Sequence, residues 1–235
     1  EIGSGLVGSE MCIRDSIKGE MSKKDSSHDW WHVKRVYNNA ILINEEEKSN
    51  PFIVKAIALL HDIYDHKFCN GNIKANLTNL LMGLDLYRFM KYEDIQNILN
   101  SCQNLGFSSN FDGVKELSRE GKIVQDADRL DAIGAIGIAR VFTYGGKNGK
   151  AIYNPDEENN IITSEEYYKK GSNTSISHFY DKLLRLKEMM NTETAKRLAE
   201  HRQIYMEQFL EEFYAEWNGS CLLYTSPSPR DRSLS

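Results

Sequence analysis

A histidine and an aspartate close a long apolar run, Phe52-Ile53-Val54-Lys55-Ala56-Ile57-Ala58-Leu59-Leu60-His61-Asp62. A buried helix gains nothing by ending in an imidazole beside a carboxylate unless something binds both. Adjacent helical side chains point about 100° apart, so His61 and Asp62 cannot enclose a ligand by themselves. The chain offers further donors on other segments, His32 upstream and Asp128 downstream. Two imidazoles and two carboxylates make a nitrogen and oxygen cage suited to a divalent metal ion. His28 stands four residues before His32, and residues so spaced share a helical face. One reading makes both of them metal ligands. The preferred one keeps His32 alone, because it lies deeper in the periodic segment, and leaves His28 to orient substrate. Asp126, Asp128 and Asp131 crowd one short segment between Ile123-Val124 and Leu130. Three carboxylates in an otherwise apolar helix call for a cation or for hydrogen-bond donors.

The elements that must bring these groups together read as helices. A helix over about 29–46 places Val33, Val36, Ala40 and Ile43 on one stripe. Asn50-Pro51 is a start signal, a cap followed by proline in the first turn, and the helix it opens is expected to end near Asp65. Further helices are expected at about 73–90, 92–104 and 114–143, the last with a break near Gly121. Small residues Ala127, Ala132, Gly134, Ala135 and Gly137 suit close helix approach. A segment of about 145–173, rich in Gly and Asn, is expected to be a long mobile loop. Two helices follow, at about 175–190 and 193–217, the second capped by Asn191-Thr192 with Glu193 well placed in its first turn. No convincing strand alternation occurs, so the expected fold is all-α.

The ordered set His32-x-x-Arg35-Val36, His61-Asp62 and Ala127-Asp128-Arg129-Leu130 resembles the HD superfamily of metal-dependent phosphohydrolases. With Gln125 to Gly134 and Ser177 to Leu184 added, the segment is similar to the small bacterial YpgQ-like branch of that family. The resemblance implies an HD-domain helical bundle with metal ligands at His32, His61, Asp62 and Asp128. It implies manganese as the metal, with Ni2+, Co2+, Fe2+ and Mg2+ as alternatives, and some members bind a second ion. It also implies a nucleotide substrate, with a nucleoside triphosphate cut to monophosphate and pyrophosphate. A non-catalytic nucleotide sensor and a hydrolase of another phosphate ester are the alternatives.

A bound divalent ion polarises a phosphoryl group and acidifies its water, so a base is still needed. Asp65 is the candidate, four residues after His61 and three after Asp62; related branches carry an acid in that place. Phosphate calls for cations, and Arg35, Lys67 and Arg129 stand beside the ligands in sequence, with arginine suited to bidentate recognition. Tyr144-Gly-Gly-Lys147 reads as a phosphate-facing lip. His178 and Lys182, at i,i+4 on a later helix, are further substrate-binding candidates, His178 chiefly through the resemblance. Trp30 and Trp31 suit base stacking or helix packing.

The formal net charge of −5 argues against a general nucleic-acid surface. No run of about 20 apolar residues is present for a membrane span. Both ends read as foreign. Nucleotides that encode Met11-Cys12-Ile13-Arg14-Asp15 on one strand supply Cys221-Leu222-Leu223-Tyr224 on the other, which resembles a sequencing adapter translated in frame. Residues 1–16 and 221–235 are therefore expected to be adapter-derived, leaving one domain over 17–220. Cys69 and Cys102 then remain as unmatched thiols, consistent with a reducing, cytoplasmic setting. A homodimer through the terminal helices is a further expectation.

Overall fold

In the computed structural model, residues 11, 13–19, 21, 29–63, 73–84, 86–88, 90–105, 116–156 and 172–220 are described. Among them the secondary structure is helical, with no strand. Helix α1 spans Trp30–Glu47. Asp29 caps it by accepting from the His32 backbone N–H, and Lys48 closes it in the left-handed conformation. The expected stripe is its inner face: Val33, Val36, Ala40 and Ile43 are fully buried. Helix α2 spans Pro51–Leu60, and the Asn50 side chain accepts from the N–H groups of Phe52 and Ile53. Helices α3 (Ile73–Gly83) and α4 (Tyr92–Asn104) follow, with a short 3-10 turn, Leu86–Arg88, between them. Then come α5 (Arg119–Asp131), α6 (Gly134–Lys147), α7 (Ser177–Asp181) and the long α8 (Glu193–Trp217). Helix α1 lies across both α5 and α2, and α8 packs on α6 and α5. The core is one continuous apolar cluster that all of these helices share in, α6 through Val141.

Several boundaries differ from the sequence expectation. Helix α2 stops at Leu60, and His61, Asp62 and Ile63 form the turn after it. Gly121 does not break α5. It lies inside the helix, where a Cβ would meet the Ser101 hydroxyl at 2.7 Å, so the glycine lets α5 sit against α4. The break comes at Ala132-Ile133 instead, where Gly134 opens α6 at φ +74°, a conformation that side chains disfavour. Helix α6 continues through Gly145-Gly146 to Lys147, shortening the expected loop; 157–171 lie outside the described residues. The helix expected over 175–190 is three short pieces, α7 and the 3-10 turns Leu183–Arg185 and Lys187–Met189, because the Lys182 backbone leaves the helical region (φ −137°, ψ −56°). Residues 13–19 are helical too, and Ile13, Ile17 and Met21, spaced by four, are buried in the core. Packing thus begins at least one turn before the boundary expected at 17, since that spacing forms an apolar stripe that α-helical chain buries.

Asp126 holds the frame together. Its fully buried carboxylate accepts from the Asn191 backbone N–H and amide at 2.8 Å, and from the Thr192 backbone N–H and hydroxyl at 2.8 Å. Burial pushes the carboxyl up against the pull of those bonds. Thr192 in turn caps α8 through the Ala195 N–H. Asp126→Ala strands several buried donors at once, so a loss of about 3 kcal/mol or more is expected, measurable as a lower urea midpoint.

Candidate metal centre

Three separate elements converge on one point. His32 enters from the first turn of α1, His61 and Asp62 from the turn after α2, and Asp128 from the last turn of α5. His32 is the hub: its Nε2 lies 3.3 Å from His61 Nε2, 3.5 Å from Asp128 Oδ1 and 3.6 Å from Asp62 Oδ2. The ligand atoms of His32, His61 and Asp128 all fall within 4.8 Å of one another. Metal–ligand bonds near 2.0–2.2 Å put neighbouring donors roughly 3–4 Å apart, which is the spacing observed here.

Proton accounting shows that the donor set fits a cation. His61 Nδ1 lies 2.8 Å from the Ala58 carbonyl, which only accepts, so Nδ1 carries the hydrogen. His32 Nδ1 lies 2.8 Å from Asp131 Oδ2 and donates likewise. In its neutral form, a ring so held turns its Nε2 lone pair inward. Two lone pairs facing each other at 3.3 Å, with two carboxylates beside them, are repulsive without a positive charge among them.

Asp131 sets this arrangement and was visible in the sequence only as one of three crowded carboxylates. It is 2 % exposed. Besides His32 it accepts from Arg35 Nε at 2.7 Å and Nη2 at 3.1 Å, and from Arg140 Nη1 at 2.7 Å. Burial alone would raise its carboxyl; the hydrogen bonds from His32 and Arg35 and the nearby charge of Arg140 outweigh that and hold it well below the usual carboxylate range. A carboxylate behind a ligating imidazole fixes its tautomer and strengthens it as a donor. Of the crowded trio, then, only Asp128 reaches the convergence point. Asp131 stands behind His32, and Asp126 binds the start of α8.

The other site candidates separate into groups. Arg35, read as a phosphate contact, is engaged by Asp131. Arg129, read the same way, is a structural cation. It is 10 % exposed, donates to the Met189 carbonyl and lies 3.9 Å from Asp126. Burial draws its pKa down, with Asp126 and Asp128 opposing. Trp30 belongs to the core, whereas Trp31 is exposed. Asp65, Lys67 and His28 lie outside the described residues.

Tyr144, His178 and Lys182 form a neighbourhood of their own, built on the end of α6 and on α7, with Lys147 exposed nearby in sequence. Lys150 Nζ sits 5.7 Å from the centre of the Tyr144 ring and donates to the Ser172 carbonyl at 2.5 Å. His178 Nδ1 lies 3.3 Å from the Ser172 hydroxyl. Burial, then the charges of Lys182 and Lys150, push His178 down from 6.5 to about 3. The unfolded chain thus protonates this ring at a higher pH than the folded one. Stability present above pH 6.5 is lost as pH falls from there toward about 3, at up to about 1.4 kcal/mol per pH unit. His178→Gln is expected to flatten that slope in urea titrations between pH 7 and pH 4.

A helical frame that brings two imidazoles and two carboxylates from three elements to one point defines a metal-dependent hydrolase. The HD domain family matches residues 30–133, a span that contains all four converging residues and Asp131. YpgQ of Bacillus subtilis is 38% identical over 201 residues, covering 85% of this chain and 89% of the relative. The crystal structure of YpgQ in complex with ADP superimposes with a TM-score of 0.71 at 32% identity, covering 90% of this chain and 96% of that one. An HD-superfamily hydrolase from Bacillus thuringiensis does so at 0.70 and 38% identity, covering 91% and 98%. The chain belongs to the HD superfamily of metal-dependent phosphohydrolases. Among the described residues no helix is long and apolar enough to cross a membrane.

Proposed function

We propose that the chain is a nucleoside triphosphate pyrophosphohydrolase that works with manganese and releases nucleoside monophosphate and pyrophosphate. The observation that carries the metal is the pair of inward Nε2 lone pairs of His32 and His61, backed by Asp62 and Asp128. The nucleotide is supported by the ADP held in the YpgQ crystal structure. When bound, the ion supplies charge that neutralises phosphate oxygens and makes water easier to deprotonate. The chain does the rest. Asp131 holds His32 in the tautomer that donates through Nε2. Asp65, from its place after Asp62, takes the proton of the attacking water, and Lys67 meets the phosphate charge. His28, Tyr144, Lys147, His178 and Lys182 contact the rest of the nucleotide. Attack at the α-phosphorus breaks its bond to the bridging oxygen, which leaves with the pyrophosphate. Cys102, buried and pushed up to about 12 by burial, stays a thiol under the reducing conditions of a cytoplasm.

The test is a product assay. Manganese-loaded protein with a panel of nucleoside triphosphates is expected to give equal amounts of monophosphate and pyrophosphate. Orthophosphate as the sole phosphate product rejects the reaction proposed, and nucleotide binding without product makes the chain a sensor. Asp65→Ala is expected to slow turnover by about 10²–10⁴-fold while metal content measured by absorption spectrometry is unchanged.

A further inference from the structure

We propose that the cleft between α1, the start of α6 and the middle of α8 is a second binding site, for a phosphate-bearing anion, and that its occupancy is relayed to the metal centre through Asp131. The cavity is about 550 Å³, and its lining includes Arg35, Asp131, Ala135, His201, Arg202 and Tyr205. None of His32, His61, Asp62 and Asp128 is among the residues that line it, so it is not the space in front of the metal. It lies behind His32, on the far side of the Asp131 carboxylate.

The charge of the cleft is unbalanced. Among the described residues of the lining, Asp131 is the one acid, against Arg35, Arg202 and the ionisable His201. That carboxylate is 2 % exposed and already serves His32, Arg35 and Arg140. A guanidinium carries five N–H donors. Arg35 gives two bonds to Asp131, and Arg202 gives one to the Leu130 carbonyl and one, at 3.2 Å, to Asn39 Oδ1. Donors remain on both planar groups, in the geometry that matches phosphate oxygens. Burial draws the Arg202 pKa down, with Asp131 only partly opposing, so a further anion beside it is favourable. The start of α6 adds to this. Ile133 gives α6 no side-chain cap and its first turn has no acid, while Gly134, Ala135 and Ile136 line the cavity.

The relay follows from shared bonds, and it rests on the metal reading given above. An anion that draws Arg35 toward itself weakens that guanidinium's hold on Asp131. Asp131 then accepts more strongly from His32 Nδ1–H, and His32 becomes the better metal donor. Anion and metal therefore tighten each other's binding.

Ala135→Glu tests the site. Ala135 is exposed in the first turn of α6, where an acid favours the helix, so the variant supplies the cleft with its own carboxylate and keeps the fold. His201→Glu, also at an exposed position, reverses the charge at the rim. Calorimetric titration of the manganese-loaded chain with pyrophosphate is expected to show two binding events. One is weakened tenfold or more in Ala135→Glu and His201→Glu, and the other is lost in Asp128→Ala. A single event that both cleft variants leave intact overturns the site. Displacement from it by a nucleoside monophosphate but not orthophosphate makes the ligand a nucleotide; the reverse makes it inorganic phosphate; displacement by neither overturns phosphate recognition. For the relay, manganese affinity against a fluorescent chelator is expected to rise threefold or more with orthophosphate in the wild type and to be unresponsive in Ala135→Glu. Equal response in both overturns the relay. Failure of the wild type to bind manganese at all is instead the failure of the metal reading.

Discussion

His61→Ala is expected to lower the affinity for manganese by more than about 100-fold, because outer partners of a ligand alone are worth 10–100-fold and this change removes a donor atom. The ring sits where its Nε2 faces that of His32 at 3.3 Å, and among the described residues it is one of three donors that lie within 4.8 Å of one another. His61 is partly exposed in a turn, so the variant should fold, and the loss should show in metal titration without any change in helical content. Titration with a fluorescent chelator gives the number directly. A dissociation constant within a few fold of the wild type removes His61 from the ligand set and the metal centre with it.

Asp131→Asn is expected to cost 10–100-fold in the same measurement, although Asp131 touches no metal ion. The substitution keeps size and shape and removes the charge. The amide offers His32 Nδ1 either a weaker acceptor or a donor, and a donor would force the hydrogen to Nε2, where the lone pair is needed. Arg35 and Arg140 lose their common anion at the same stroke. If the effect came through these arginines alone, Arg140→Gln would reproduce it in full; the expectation is a smaller change there, since the contact of His32 with Asp131 survives.

Much of the helical frame was legible because its signals are local. Val33, Val36, Ala40 and Ile43 repeat at helical spacing, Asn50-Pro51 opens α2, and Thr192 caps α8. Chemistry and spacing picked out His32, His61, Asp62 and Asp128 as one group, and the structure brings their side chains to one point. What depends on long-range pairing was hidden. Arg129 carries the same charge whether it meets a phosphate or the Met189 carbonyl, and nothing in its neighbours distinguishes the two. The service that Asp131 gives His32 depends on contacts across 99 positions of chain. The end of α2 carries no glycine or proline at Leu60, so periodicity ran past it. The turn at Ala132-Ile133 was masked by small residues that suit close packing as well as they suit a break.

The two imidazoles are steadied by different kinds of partner. His32 leans on a side chain, Asp131, whereas His61 leans on the main-chain oxygen of Ala58 in the final turn of α2. That oxygen belongs to the final turn of α2, which stops at Leu60. A point mutation can take away the first support but not the second, since every residue at position 58 carries the same carbonyl. The centre is therefore lopsided toward genetic change, with one ring vulnerable through a distant codon and the other tied to the course of the backbone itself.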